Sequence, residues 1–266
     1  MRDNSLEPER ALHDNWAMST PPESVPVDAI FEAATAPGNR YIVDWLGNVE
    51  DLSVLDLGSG CGEAAVYFAK HGARVTAADL SPGMLGLVDK VASLHGVRVA
   101  TVETSADRLS LPDNQFDIVY AANLLHHVDR PRCLDEIRRV LKPGGRAAMW
   151  DPLEHNPIIK VYRWLAKEVR TPEERPLAIT DLRLFRSRFS QVMYKTFWLT
   201  TLWIFLRFFL IEHVSPSKER YWKKVILEAD RLSPIYNRLE RMDHRLLEAI
   251  PFLQRYCWNV VVLCVK

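Results

Sequence analysis

The residues in this 266-residue chain best placed to do chemistry are three glycines in five positions, with a carboxylate on either side. They lie in Val54-Leu55-Asp56-Leu57-Gly58-Ser59-Gly60-Cys61-Gly62-Glu63. Glycine has no Cβ, so the backbone turns sharply there and a ligand can approach it closely. Asp79 comes 21 positions after Gly58 and closes a second apolar run. A carboxylate at such a strand end accepts hydrogen bonds from both hydroxyls of a ribose. Its other reading, a helix N-cap, is better filled by Ser81 followed by Pro82. Two further clusters follow apolar runs: His126-His127 beyond Asn123, and Asp151, Glu154 and His155 beyond Trp150. Histidine exchanges protons near neutral pH, which makes His126, His127 and His155 candidate general bases. The plainer readings are packing for the histidine pair and a polar loop for 151–155. No metal-ligand spacing is present, and none is expected to be used.

These residues need strands and helices to place them. Val54–Leu57 reads as a buried parallel strand and Ala64–Lys70 as a helix stopped by Gly72. Strand, glycine turn and helix form the nucleotide corner of a doubly wound sheet, where ligands sit beyond the carboxyl ends of the strands. Ala73–Ser81 predicts the second strand, Pro82–Leu94 a helix ending near Gly96, and Val97–Glu103 the third strand. A fourth strand ends at Ala121-Ala122-Asn123, Arg132–Leu141 is helical, and Ala147–Trp150 is the fifth strand. Pro157–Arg170 and Leu182–Phe189 read as helices and Val192–Leu199 as the sixth strand. Trp258–Lys266 is the last. Ahead of the corner, residues 1–27 hold Pro8, Pro21, Pro22 and Pro26 and predict a loose arm with one turn of helix near Ala11–Met18. Val27–Leu46 is helical and split by Pro37-Gly38.

The spacing Asp56-x-Gly58-x-Gly60-x-Gly62 differs from a dinucleotide fingerprint, whose third glycine would stand at Glu63. It resembles the first motif of the class I methyltransferases that use S-adenosylmethionine (SAM), of the small-molecule type. Two later stretches extend the resemblance over about residues 50–150. Ser105–Tyr120 is similar to the family's adenine loop running into the fourth strand, and Leu141-Lys142-Pro143-Gly144-Gly145 to the step before the fifth. The family usually has Asp-Ala in that loop. Here the Asp position falls on Ser105, so either Ser105 and Ala106 meet the adenine or Asp107 substitutes. The resemblance implies SAM held by Asp56, Gly58, Ser59, Gly60, Cys61, Gly62, Asp79, Leu80, Met84, Ser105, Ala106, Asp107 and Asn123. It also implies a Leu-His-His step in which one histidine often serves packing. Trp16 either packs on the domain surface or belongs to an arm folded over the cofactor, as in many small-molecule members. The implied fold is α/β: a Rossmann-like, doubly wound seven-stranded sheet with an antiparallel last strand pairing with the sixth and a helical insertion between the two.

This organisation divides the chain into an arm with helices (1–49), a SAM-binding core (50–155), a helical acceptor-side region containing strand six (156–257) and the final strand (258–266). The composition is that of a globular protein, 48% hydrophobic and 26% charged. Net charge is zero, yet residues 1–155 hold 14 basic and 23 acidic residues (14 − 23 = −9), leaving 20 and 11 (+9) for the rest. Four separated cysteines without Cys-x-x-Cys read as reduced thiols. No apolar signal region follows Met1. These features predict a cytoplasmic protein, or one peripheral at the inner membrane face, and nothing points to nucleic acid. Thr196–Val214 is the most apolar stretch. Its cover is either the rest of the insertion, with helices over Lys218–Arg231 and Ile235–Ile250, or a hydrophobic acceptor or membrane surface reached by its Trp and Phe beside Arg207, Lys218, Arg220, Lys223 and Lys224. The expected reaction is methyl transfer from SAM to a small, hydrophobic or lipid-like acceptor. Competing readings are a non-catalytic SAM-binding protein and an NAD-dependent oxidoreductase. The acceptor atom and the oligomeric state are not written in the sequence.

Overall fold

The computed structural model describes residues 7–165, 174–216 and 219–266. Seven strands form one sheet in the order β3-β2-β1-β4-β5-β7-β6. They are β1 (Ser53–Leu57), β2 (Arg74–Asp79), β3 (Val99–Glu103), β4 (Phe116–Ala122), β5 (Leu141–Pro152), β6 (Gln191–Phe197) and β7 (Asn259–Val265). All neighbours are parallel except β7, which runs antiparallel to both β5 and β6. The sixth and seventh strands pair as the resemblance implies, and β7 also wedges between β5 and β6, with Met149 opposite Val262 and Tyr194 opposite the same residue. Six apolar-rich residues buried from Asn259 to Cys264 make this possible, because a strand flanked on both sides must be apolar on both faces.

Alternation along the strands divides the core. Val54, Val75, Ile118, Ala148 and Val261 face one layer, and Leu55, Leu57, Val119, Met149 and Val262 the other. The first layer takes α3 (Pro37–Leu46), α4 (Glu63–Lys70) and α5 (Pro82–Leu94), and the second takes α6 (Arg130–Val140) and α8 (Leu182–Arg186). α2 (Ala29–Glu32) ends ahead of α3, which begins on Pro37 at its first position, where a missing N–H costs nothing.

Several elements depart from the sequence expectation. The arm carries α1, a 13-residue helix from Glu7 to Ser19, where one turn was expected. Pro8 falls in its first turn, and packing of α1 against α5 supplies what its weak sequence pattern does not. The strand β5 begins at Leu141, six residues ahead of the fifth strand expected at Ala147. Of the helix predicted over Pro157–Arg170, the described part is α7 (Pro157–Leu165); residues 166–170, together with Pro172, Lys218 and the first six residues of the arm, lie outside the described residues.

The apolar stretch 196–214 is not a single helix. Thr196 and Phe197 end β6, the chain turns at Trp198 (φ 68°), and α9 runs from Trp203 to Leu210. Its Ile204, Phe205 and Phe208 are buried, while Trp203, Phe209 and Leu210 are exposed. The buried face is covered by the rest of the insertion: Tyr221 and Val225 of α10 (Tyr221–Leu227) are buried in the same layer. The predicted break near residue 232 lies instead at Glu228, and α11 continues unbroken from Ala229 to Ala249 through Pro234. Asp243 of α11, 5% exposed, accepts from the N–H of Leu199 (3.0 Å) and Thr200 (2.6 Å) and from the Thr201 hydroxyl (2.8 Å). It ties α11 to the start of α9. Among the described residues no helix is long and apolar enough to cross a membrane.

Candidate active site

The carboxyl ends of β1, β2 and β4 border a cleft. β1 runs into the glycine loop because Gly62 adopts φ 90°, and a Cβ there would stand 3.0 Å from Val88 of α5. Gly60 (φ 51°) faces open space, with nothing within 4 Å of where a Cβ would be. The Asp79 carboxylate holds this loop: Gly60 N–H donates to Oδ2 (3.0 Å) and Ser81 N–H to Oδ1 (2.9 Å). Burial pushes Asp79 upward from the usual carboxylate range, against the lowering effect of those N–H groups. Ser81 caps α5 by accepting from Met84 N–H (3.0 Å).

Of the residues singled out from the sequence, Gly58, Gly60, Asp79, Leu80, Ser105, Ala106, Asn123 and His127 line the cleft. Asp107 stands behind it and takes the Ser105 hydroxyl (2.5 Å). Asp56 and Met84 are buried beside the loop, and they and the loop's own Ser59, Cys61 and Gly62 lie outside the lining. Two of them carry buried polar atoms with no partner among the described residues, Asp56 Oδ2 and Ser59 Oγ. Burial pushes the Asp56 carboxyl up to about 8. Buried polar atoms are normally satisfied, so two orphans at a glycine cradle fit a ligand that brings its own donors.

α1 lies over this cleft. Arg10 pairs with Glu103 (3.0 Å), Asp14 Oδ1 accepts from Gly83 N–H (2.9 Å), and Glu9 Oε1 lies 2.9 Å from His127 Nδ1. Trp16 stacks under the Arg220 guanidinium, 3.6 Å from its ring centre. None of Glu9, Arg10, His13 or Asp14 was marked by the sequence. Their only signal was the isolated Trp16.

A second, polar cavity adjoins the first and shares Glu9, His13, Asn123 and His127 with it. Here the two histidines diverge. His126 is buried, and its Nδ1 lies 2.6 Å from Asp151 Oδ1. Asp151, 1% exposed, also accepts from the N–H of Leu125 (3.2 Å) and His126 (3.1 Å). A carboxylate only accepts, so Nδ1 carries the hydrogen and Nε2 keeps its lone pair. Burial lowers the His126 pKa, with Asp151 opposing. Burial alone would lower His127 as well, but the Glu9 carboxylate outweighs it and the net shift is upward. Asn123, at φ 53°, ends β4 between the two cavities and donates its N–H to Trp150 (2.9 Å).

Glu174 joins the histidines, with one ligand-type atom of each within 4.8 Å of the others, and Arg163 pairs with it at 2.8 Å. Tyr162, Arg220, Trp222 and Trp258 complete the wall. His155 is elsewhere, beside Glu154 at 3.2 Å and outside both cavities.

Residues 55–149 match a family whose model is described as a methyltransferase domain. The chain is 36% identical over 132 residues to a ubiquinone/menaquinone biosynthesis C-methyltransferase of Psychromonas ingrahamii, covering 46% of this chain and 52% of that one. It is 32% identical over 143 residues to a sterol 24-C-methyltransferase of Gibberella zeae, covering 52% and 34%. The chain thus spans about half or less of the length of these curated relatives. Among solved structures, the phosphoethanolamine N-methyltransferase 2 of Haemonchus contortus in complex with S-adenosyl-L-methionine shares the fold. Its TM-score is 0.58 at 18% identity, over 86% of this chain and 52% of that one.

Proposed function

Because residues 55–149 carry the methyltransferase domain of the class I SAM-dependent family, we propose that this chain binds SAM in the glycine-loop cleft and methylates a small-molecule acceptor in the adjoining polar cavity. The observation that carries the proposal is the shared wall between the two cavities, with the His126–Asp151 pair on the acceptor side. Asp79 would hold the ribose, Ser105 and Ala106 the adenine, and the loop from Gly58 to Gly62 the methionine portion, with Asp56 beside it. The cofactor, when bound, supplies a methyl on a sulfonium whose leaving group is a neutral thioether.

The protein then has two tasks. It must hold the acceptor in line and keep water out, which the covering helix α1 and the aromatic wall support. It must also take a proton where the acceptor carries one. His126 suits that role: its Nδ1 is fixed by Asp151, and its lowered pKa keeps Nε2 unprotonated at neutral pH. His127, whose pKa the Glu9 carboxylate raises, would contribute positive potential whenever it is protonated. The apolar insertion and the relatives named for quinone and sterol chemistry support an acceptor of hydrophobic type.

The test is calorimetric titration with SAM, followed by transfer of labelled methyl into a metabolite and lipid extract. Micromolar SAM binding with a labelled small molecule is expected. SAM binding with no labelled product would reduce the chain to a cofactor-binding protein.

A further inference from the structure

α7 separates the polar cavity from a second space of opposite character. Ile159, Tyr162 and Arg163 face the polar cavity. Ile158, Val161, Tyr162 and Leu165, at the i, i+3, i+4, i+7 positions of one helical stripe, line an apolar pocket of about 250 Å³ between α7, α9 and α10. Phe205, Leu206 and Phe209 of α9 form its far side. No charged side chain lines it among the described residues, and the Tyr221 hydroxyl is turned away to donate to the Val214 carbonyl. Tyr162 belongs to both walls and packs against Phe205 and Tyr221, with ring centres 5.7 and 5.2 Å away, so this one ring is the partition between the two spaces. The outer side is open: Val161 is 57% and Phe209 41% exposed, and Trp164, Leu210 and Ile211 beside them are exposed as well.

An apolar cavity larger than about 150 Å³ attracts hydrocarbon and not ordered water, since it offers water no partners. Soluble proteins seldom leave such a surface bare without a use for it. We propose that this pocket is the tail subsite of the acceptor, which is therefore an amphiphile. Its reacting head lies in the polar cavity beside His126, and its apolar chain reaches the pocket between α7 and α9 when the Tyr162 ring swings aside. This inference rests on the reading of the polar cavity as the acceptor site. It explains why an aromatic and charged cavity sits against an insertion rich in exposed Trp, Phe and Leu.

The experiment uses straight-chain 1-alkanols from butanol to dodecanol, titrated calorimetrically into the full chain with S-adenosylhomocysteine present. Affinity should rise about fourfold per methylene until the pocket is filled, then level off. Val161→Trp, at an exposed position, should move the plateau to shorter chains. Phe209→Asp should weaken long alkanols far more than short ones. An affinity independent of chain length would overturn the proposal, as would a dependence left unchanged by both variants. Alkanol binding is read without methyl transfer, and S-adenosylhomocysteine binding is measured in the same cell. Loss of the latter alone would therefore count against the cofactor reading and not against the tail subsite.

Discussion

Replacing Asp79 by alanine tests the cofactor cleft at its best-anchored point. Its two oxygens already accept the N–H groups of Gly60 and Ser81, and each retains a further acceptor position toward the cleft. Hydrogen bonds to a charged group are each worth about 1.5–3 kcal/mol. Two such bonds to a ribose, discounted for non-additivity, make a loss of about 2–4 kcal/mol, and 2 kcal/mol is roughly 30-fold in affinity. At a SAM concentration 100 times the wild-type Kd, ligand stabilisation of about 2.7 kcal/mol should fall to about 0.9 kcal/mol. For a domain of this size each kcal/mol is worth about 2–4 °C, so the SAM-induced rise in Tm should shrink from about 5–11 °C to about 2–4 °C. The ligand-free variant should also melt lower, because two N–H groups lose their acceptor. Calorimetry gives the affinity directly. A folded Asp79→Ala protein that binds SAM within threefold of the wild type would refute the reasoning.

Three other outcomes follow from particular side chains. His126→Gln should lower turnover about 100-fold with SAM affinity kept. The acid limb of the wild-type rate should fall below the ordinary histidine range, because the folded pKa is lowered; the stability linked to this histidine is present above pH 6.5 and is lost as pH falls through the folded value. Asp56→Asn should flatten the pH dependence of ligand-free stability. A carboxyl raised from 3.8 to about 8 contributes stability below its unfolded value and loses it as pH rises toward 8, so a melting curve that keeps its slope in the variant would contradict this. Asp243→Ala should cost about 2–4 kcal/mol, because it strands the N–H groups of Leu199 and Thr200 at the start of α9, and urea unfolding measures it.

Local chemistry was the legible part of this chain. The run from Val54 to Gly62 and the strand ending at Asp79 are governed by contacts within a few dozen residues, and glycine spacing carries its meaning wherever it occurs. His126 was visible as a candidate, but its partner Asp151 could be named only as a neighbour of the cleft, since the pairing spans two strand ends. Glu9 and His13 were invisible because α1 has little helical pattern of its own and gains its order by packing against α5, some 70 residues away. Asp56 reads as a cleft residue from the motif, yet the turn buries it beside the loop. Its spacing is a property of the sequence, and the direction of its side chain is a property of the turn. The position of β7 between β5 and β6 depends on matching apolar faces from three distant segments, which no single window contains.

The helix α1 forms a wall of both cavities at once, through Glu9 and His13. Whatever binds on one side must settle against side chains that also shape the other. If the proposed cofactor and acceptor bind there, this shared wall would link them, and such a linkage is reciprocal: a cofactor that raises the affinity for acceptor by some factor has its own affinity raised by acceptor by the same factor. Affinities measured for either ligand alone would then misstate those of the proposed ternary complex, and release of the spent cofactor would depend on whether the methylated product had already left.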